Sequence, residues 1–309
     1  MFGRSRTNLG LALIARPSPR SYCSEHQGET NMPSTVLITG CSSGFGLASA
    51  KLFLARGWNV VATMRSPQPH LLDEKDRLLV TALDVTNPSS IAAAIERGIA
   101  RFGQIDVIVN NAGIGWFGAA EATPDEAVRQ VFETNTFGVI ATTQAIIPHL
   151  RERGSGTIVN VTSSVGIAPM PLVAAYTASK FAIEGFSESL AYELGSLGIR
   201  VKIVQPGFAP TTNFASNFRG NMSDLIPAAY ADFAGRYLAS MQNEPTAYTT
   251  GDDVAAAVYA AATSKDDRLR YPAGPDSVML AELRRALPEE AFMARIRTMV
   301  GASSPPMHS

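Results

Sequence analysis

Cysteine is nearly missing from this chain: there are two in 309 residues, Cys23 and Cys41. That excludes a disulfide scaffold and points to a reducing compartment. Histidine is also scarce. The four present are scattered, and no cluster has the spacing of a zinc site. Excess charge of either sign is lacking, since 26 Lys and Arg face 27 Asp and Glu for a formal net charge of −1. A near-neutral balance argues against a nucleic-acid surface. An integral membrane segment is not expected either. The apolar run Leu9–Ala15 falls well short of the roughly 20 residues a spanning helix needs. An internal repeat and a linker long enough to separate a second domain are lacking too. These absences leave a globular intracellular chain large enough to bury a sizeable core.

The amino end stands apart. Residues 1–24 carry Arg4, Arg6, Arg16 and Arg20 with several serines and no acidic residue. Such a start fits an organellar transit segment, or an extension that stays disordered ahead of Met32. The expected organisation is a disordered or targeting extension over 1–33, one folded domain over 34–300, and a disordered tail over 301–309. The expected location is the cytoplasm, with organellar import as the alternative.

Within 34–300 short apolar runs alternate with amphipathic stretches. The pattern predicts strands at 35–39, 58–64, 78–83, 107–110, 156–161, 201–205 and 269–271. It predicts helices at 46–56, 90–101, 124–134 (with a possible continuation to 147), 176–194, 252–263, 280–287 and 289–299. Continuous apolar strands that alternate with helices imply a buried parallel sheet with helices on both faces, an α/β fold. Residues 208–250 break this rhythm. Phe214, Phe218, Tyr230, Phe233 and Tyr237 sit among polar residues there, which reads as an insertion with one or two short helices.

Between the first strand and first helix lies Thr39-Gly40-Cys41-Ser42-Ser43-Gly44-Phe45-Gly46. Glycines in that position permit a tight turn and let the backbone approach a pyrophosphate at the helix N-terminus. The spacing is one residue wider than the common dinucleotide fingerprint. An acidic residue about 20 positions on would bind the adenosine ribose of NAD, yet no Asp or Glu occurs from Leu47 through Leu72. The second strand ends instead at Arg65, which could pair with a 2′-phosphate, with Ser42 or Ser43 adding a hydroxyl. NADP(H) is therefore expected over NAD(H).

Tyr176 and Lys180 lie four residues apart in a predicted helix, so their side chains share a face. An ammonium held there is expected to pull the phenol pKa down toward working pH and make Tyr176 a general acid or base.

These strings resemble the short-chain dehydrogenase/reductase family in its single-domain form. The resemblance rests on the Thr39–Gly46 loop, Asp84-Val85, Asn110-Asn111-Ala112-Gly113, Asn135, Ser163, Tyr176 with Lys180, and Pro206-Gly207, in that order. It is strong over about 35–210 and looser toward 300. It implies a Rossmann-type doubly wound parallel β-sheet with helices on both faces. It further implies that Asp84 and Val85 contact the adenine, and that Asn111, Ala112 and Gly113 line the cofactor's path. Pro206, Gly207 and Thr211 are implied to frame the nicotinamide carboxamide. In the implied chemistry Ser163 hydrogen-bonds the substrate oxygen, Tyr176 transfers the proton and Lys180 holds the nicotinamide ribose. Asn135 supports a proton relay through water to Lys180. Family likeness also implies a homodimer or homotetramer through the helices carrying Asn135 and Tyr176.

The aromatic residues of 208–250, with Trp116 and Phe117, suggest apolar pocket walls and a lipophilic ketone, aldehyde or secondary alcohol as substrate. Two other readings stand beside this one. They are a non-catalytic NADP(H)-binding redox sensor, and an epimerase or dehydratase of the same fold.

Overall fold

The computed structural model describes residues 33–72, 76–210, 222–243 and 248–302. The expected extension, the expected tail, Thr211, Phe214 and Phe218 lie outside the described residues. The strands are β1 Thr35–Ile38, β2 Asn59–Met64, β3 Leu78–Ala82, β4 Val107–Asn110, β5 Gly156–Val161, β6 Ile199–Pro206 and β7 Arg270–Ala273. The helices are α1 Gly44–Ala55, α2 Pro88–Phe102, α3 Asp125–Phe132, α4 Gly138–Arg153 and α5 Ala174–Gly195. They continue with α6 Met222–Leu225, α7 Ala231–Asn243, α8 Gly251–Thr263, α9 Pro275–Ala286 and α10 Glu289–Met299.

The seven strands form one sheet in the order β3-β2-β1-β4-β5-β6-β7, and every neighbouring pair is parallel. Every residue of β1, β2, β4 and β5 is buried, which explains their mainly apolar character. Successive residues still face opposite ways. Val36 and Ile38 pack with Phe53 of α1 and with Val254 and Val258 of α8. Leu37 packs on the other face with Ile91 of α2, Ile146 of α4 and Leu190 of α5. Burial of each large aliphatic or aromatic side chain contributes roughly 1.5–3 kcal/mol. A third cluster joins Tyr237, Leu280, Phe292 and Ile296 from α7, α9 and α10 to Ala119 and Ile167.

The strand order reverses at β1, whose two neighbours are β2 and β4. Ligand crevices of open parallel sheets lie at such a point, beyond the C-terminal strand ends.

Several helices extend past their predicted limits. α2 starts at Pro88 because the Asn87 side chain accepts hydrogen bonds from the Ser89 and Ser90 N–H groups, with proline at the first helical position. The stretch predicted to reach Ile147 runs on to Arg153 although Pro148 lies inside it. Pro148 is exposed, and Gly154 ends the helix in the left-handed region at φ 64°.

Candidate active site

The β1–α1 turn is built around two close approaches. Gly40 has φ +77°, and a Cβ there would stand 2.9 Å from the Ala112 Cα. A Cβ on Gly46 would come within 2.3 Å of the Gly40 carbonyl oxygen. Both distances forbid a side chain without a backbone shift. Thr39 locks the turn to the end of β4. Its Oγ1 accepts the N–H groups of Asn111 at 2.9 Å and Ala112 at 3.0 Å, while Asn111 Nδ2 donates to the Thr39 carbonyl at 2.9 Å. Thr39 and Gly46 thus shape the turn from behind. Gly40, Ser42, Ser43, Gly44 and Phe45 form the wall of a cleft of about 1080 Å³.

The other predicted cofactor positions follow along the same cleft. Arg65 at the end of β2, Asp84 and Val85 after β3, and Asn111, Ala112 and Gly113 after β4 all line it. So do Ser163, Tyr176, Lys180, Pro206 and Gly207. Arg65 is exposed. Asp84 is also a turn residue, since its Oδ1 accepts the Thr86 N–H at 2.9 Å and hydroxyl at 2.8 Å. The first turn of α1 carries no acidic residue, so the partial positive charge of the helix end is left uncancelled for an anion. These residues fit a nicotinamide dinucleotide laid across the strand ends, with its pyrophosphate at α1.

At the far end of the cleft the chain departs from a plain helix. Glu133–Phe137 forms a π turn between α3 and α4, an irregularity that recurs at functional sites. Asn135, expected at mid-helix, sits in it fully buried. Its Oδ1 accepts the Ile114 N–H at 2.8 Å, and its Nδ2 donates to the Ile114 carbonyl at 2.8 Å and to Ser179 Oγ at 3.1 Å. Both amide protons are therefore committed, and the side chain holds the segment after Gly113 in place. Asn110, which in isolation reads as a turn former, ends β4 in a buried polar ladder. Its Nδ2 donates to Asn160 at 2.8 Å and Thr143 at 3.0 Å.

Ser163 follows β5 and hydrogen-bonds the Tyr176 phenol. Lys180 Nζ donates to the Val161 carbonyl at 3.1 Å and lies 5.7 Å from the Tyr176 ring centre. The expected depression of the phenol by this lysine is corrected here. Burial pushes the Tyr176 pKa up to about 12, with only the Ser163 hydrogen bond acting against it. Burial also brings Lys180 down to about 8, opposed by the charge of Glu184. Desolvation outweighs the opposing hydrogen bond at Tyr176 and the opposing charge at Lys180. At neutral pH the pair is a proton-bearing phenol beside an ammonium, suited to protonating an oxygen in the cleft.

The sequence reading missed Asp276. This first-turn residue of α9 accepts the Phe208 N–H at 2.7 Å and the Thr249 hydroxyl at 2.6 Å, and so pins the backbone just after Pro206-Gly207. The one local signal was the helix-start string Gly274-Pro275-Asp276; its partners lie 68 and 27 residues away. Also missed was a methionine wall formed by Met170, Met241, Met279 and Met299, which lines the cleft with Phe117 and Tyr237. Trp116 does not join that wall and donates its indole N–H to Thr123 at 3.3 Å. No helix of the described residues is long and apolar enough to cross a membrane, and among them no group of three potential ligands could hold a metal.

Comparison with known proteins agrees with this geometry. The chain is 37% identical over 269 residues to an uncharacterized oxidoreductase of Bacillus subtilis, covering 83% of this chain and 95% of the relative. It is 36% identical to a 3-ketodihydrosphingosine reductase of Bacteroides thetaiotaomicron, covering 86% and 97%. A short-chain dehydrogenase of Burkholderia cenocepacia in complex with NADP superposes with a TM-score of 0.67 at 26% identity, covering 85% of this chain and 97% of that one. A 3-ketoacyl-(acyl-carrier-protein) reductase of Brucella melitensis complexed with NADH gives 0.64 at 28%, covering 77% and 96%. The family profile described as short chain dehydrogenase matches residues 34–222. A doubly wound parallel sheet, a glycine turn at its switch point and a Ser163–Tyr176–Lys180 cluster on one cleft thus agree with the family match, and the chain belongs to the short-chain dehydrogenase/reductase family of nicotinamide-dependent oxidoreductases.

Proposed function

We propose that the protein is an NADP(H)-dependent oxidoreductase that interconverts a lipophilic ketone or aldehyde and its alcohol. The observation that carries this reading is the continuity of one cleft from the glycine turn, past Ser163 and Tyr176, to the wall of Met170, Met241, Met279 and Met299. Methionine is flexible and polarizable, and it suits a wall that accommodates an apolar body of variable shape. The 3-ketodihydrosphingosine reductase of Bacteroides thetaiotaomicron is a relative whose name specifies a long-chain ketone.

The roles follow from placement. Bound nicotinamide supplies or accepts the hydride. Ser163 donates a hydrogen bond to the substrate oxygen, and Tyr176 delivers a proton to it as negative charge develops. Lys180 would hold the ribose hydroxyls with its ammonium. Asn135 fixes the Ile114 backbone beside the cleft that would take the cofactor. Pro206 and Gly207, which line the cleft, would frame the carboxamide. A series of ketones of increasing apolar length tests the substrate class. Catalytic efficiency is expected to rise with chain length, and preference for small polar ketones would refute the lipophilic pocket.

Preference for NADP(H) rests on Arg65, exposed on the cleft at the end of β2. A charge-assisted hydrogen bond to a 2′-phosphate is worth about 1.5–3 kcal/mol. Arg65→Ala is therefore expected to weaken NADPH binding by roughly 10- to 100-fold and leave NADH binding within about twofold, read by titrating cofactor fluorescence. Equal loss for both cofactors would remove the phosphate contact from the account.

Association through α4 and α5 is part of the proposal. Phe137 of the π turn before α4 is 54% exposed and Phe181 of α5 is 44% exposed, and a homodimer or homotetramer would cover them. A monomeric mass by light scattering would contradict it.

A further inference from the structure

Glu184 is the one acidic residue of α5 that is buried, at 5% exposure, and the roles above leave it unused. It lies one helical turn beyond Lys180, as Lys180 lies one turn beyond Tyr176, so the three share a face. Its carboxylate reaches three other parts of the site. Oε1 accepts the Thr162 hydroxyl at 2.7 Å and the Gln205 amide at 3.1 Å. Oε2 accepts Arg270 Nε of β7 at 3.0 Å. Thr162 immediately precedes Ser163, and Gln205 immediately precedes Pro206-Gly207. The carboxylate also presses on the β5–α5 connection, where a Cβ on Gly166 would meet its Oε1 at 3.1 Å.

We infer that Glu184 is a positioning residue: one buried carboxylate ties the ends of β5 and β6 to α5 and sets a negative charge one helical turn beyond Lys180, on the face where the ribose hydroxyls are to be bound. The inference rests on the reading of Tyr176 and Lys180 as the reacting pair.

The charged and titratable groups around this point can be named. Tyr176, Lys180 and Glu188 come from α5, Arg270 comes from β7, and Glu133 of the π turn lines the same cleft. Arg270 divides its guanidinium between Glu184 and Glu188. Burial raises the Glu184 pKa, while the Thr162 and Gln205 hydrogen bonds and the Arg270 charge act against it. Lys180 in turn is raised by the Glu184 charge against its own desolvation. Were packing the whole purpose of Glu184, a neutral amide of the same shape could take its place without touching the ionisation of Lys180.

The test uses thermal unfolding of the cofactor-free full chain across pH 6 to 10. Wild type is compared with Lys180→Met, and the same comparison is made in E184Q and E184D backgrounds. The pH at which the two melting temperatures begin to converge marks the titration of Lys180 in the folded protein. With wild-type Glu184 this point is expected near 8. In E184Q it is expected about one pH unit lower, a roughly tenfold loss of proton affinity. E184D retains the charge and is expected to stay within about half a unit, although its melting temperature falls. Should E184Q fail to fold, the double variant E184Q/R270Q removes the carboxylate with its half-exposed partner and is expected to show a smaller downward move, because losing a nearby cation offsets part of the loss of the carboxylate. An unmoved point in the amide variants, or an equal drop in E184D, overturns the inference. Carbonyl turnover is read separately. If the titration point moves as expected but the wild type reduces no carbonyl, the proposed function fails and the Glu184 assignment stands. If turnover is present, the basic limb of its pH profile is expected to shift down in E184Q.

Discussion

Tyr176→Phe is expected to lower carbonyl reduction by about a thousandfold, within the range of a lost general acid, while NADPH affinity changes less than about threefold. The reason is local. The hydroxyl is removed, and with it the proton donor and the hydrogen bond with Ser163. The ring stays, buried at 7% exposure, so the packing of α5 against the sheet is preserved. The glycine turn, Arg65 and Lys180 are untouched, so the cofactor keeps its contacts. Steady-state reduction and cofactor-fluorescence titration on the same sample read the two effects apart. A loss in both by the same factor would mean that Tyr176 binds and does not transfer a proton. Full retained activity would dismiss it from the chemistry.

Lys180→Met is expected to abolish most activity and yet make the cofactor-free protein more stable at pH 7, by about 2 kcal/mol. Lys180 is brought from its ordinary 10.5 down to about 8. Its folded pKa is thus below its unfolded one. Below pH 8 both states are protonated, and the buried ammonium costs about 3 kcal/mol. Between 8 and 10.5 the unfolded chain binds more protons than the folded one, so stability rises with pH and the cost fades. Methionine removes the cost at about equal volume but forfeits the ammonium's bond to the Val161 carbonyl, worth about 1.5 kcal/mol at the low end for a charged group. The advantage of Lys180→Met is therefore expected to be full at pH 7 and nearly gone by pH 10. Tyr176, raised to about 12, adds an opposite slope only above its unfolded value near 10. Denaturant unfolding at pH 7, 8.5 and 10 measures this. A less stable Lys180→Met at pH 7 would mean that the ammonium is compensated in the fold, and the stored cost would be withdrawn from the account. A site that destabilises the empty protein is the usual consequence of placing a charge where a ligand will need it.

Much of the sheet was legible because the buried strands depend on local apolar runs. β4 at Val107–Asn110 and β5 at Gly156–Val161 occupy the predicted residues, since each is bounded by turn-forming residues and buried on both faces. The starts of α2 and α9 were read late. Asn87-Pro88 and Gly274-Pro275-Asp276 look like turns in one dimension, while in the fold they open the helices themselves. The π turn at Glu133–Phe137 was not legible, because one extra residue in a helical turn leaves the surrounding apolar period almost unchanged.

Within the site, the described residues carried by compact strings come together at one cleft or directly behind it. Glu184, Asp276 and the methionine wall were not found. Their significance depends on partners 21 to 86 residues away or on four separate elements converging, and neither has a local signature. The ionisation of Tyr176 was misread for a related reason. Spacing gives the nearest charge, but burial depth, which decides the sign here, belongs to the whole fold.

The central claim is that this cleft couples a nicotinamide cofactor to a carbonyl. It is tested most directly by following nicotinamide absorbance while purified protein is offered NADPH or NADH with long-chain ketones and aldehydes, with alcohol product quantified in parallel. One NADPH consumed per alcohol formed, faster than with NADH, is the predicted result. Product formed with no net cofactor consumption would indicate isomerisation or dehydration with a retained nicotinamide, and tight NADPH binding without turnover of any carbonyl would indicate a sensor; either result would contradict the account.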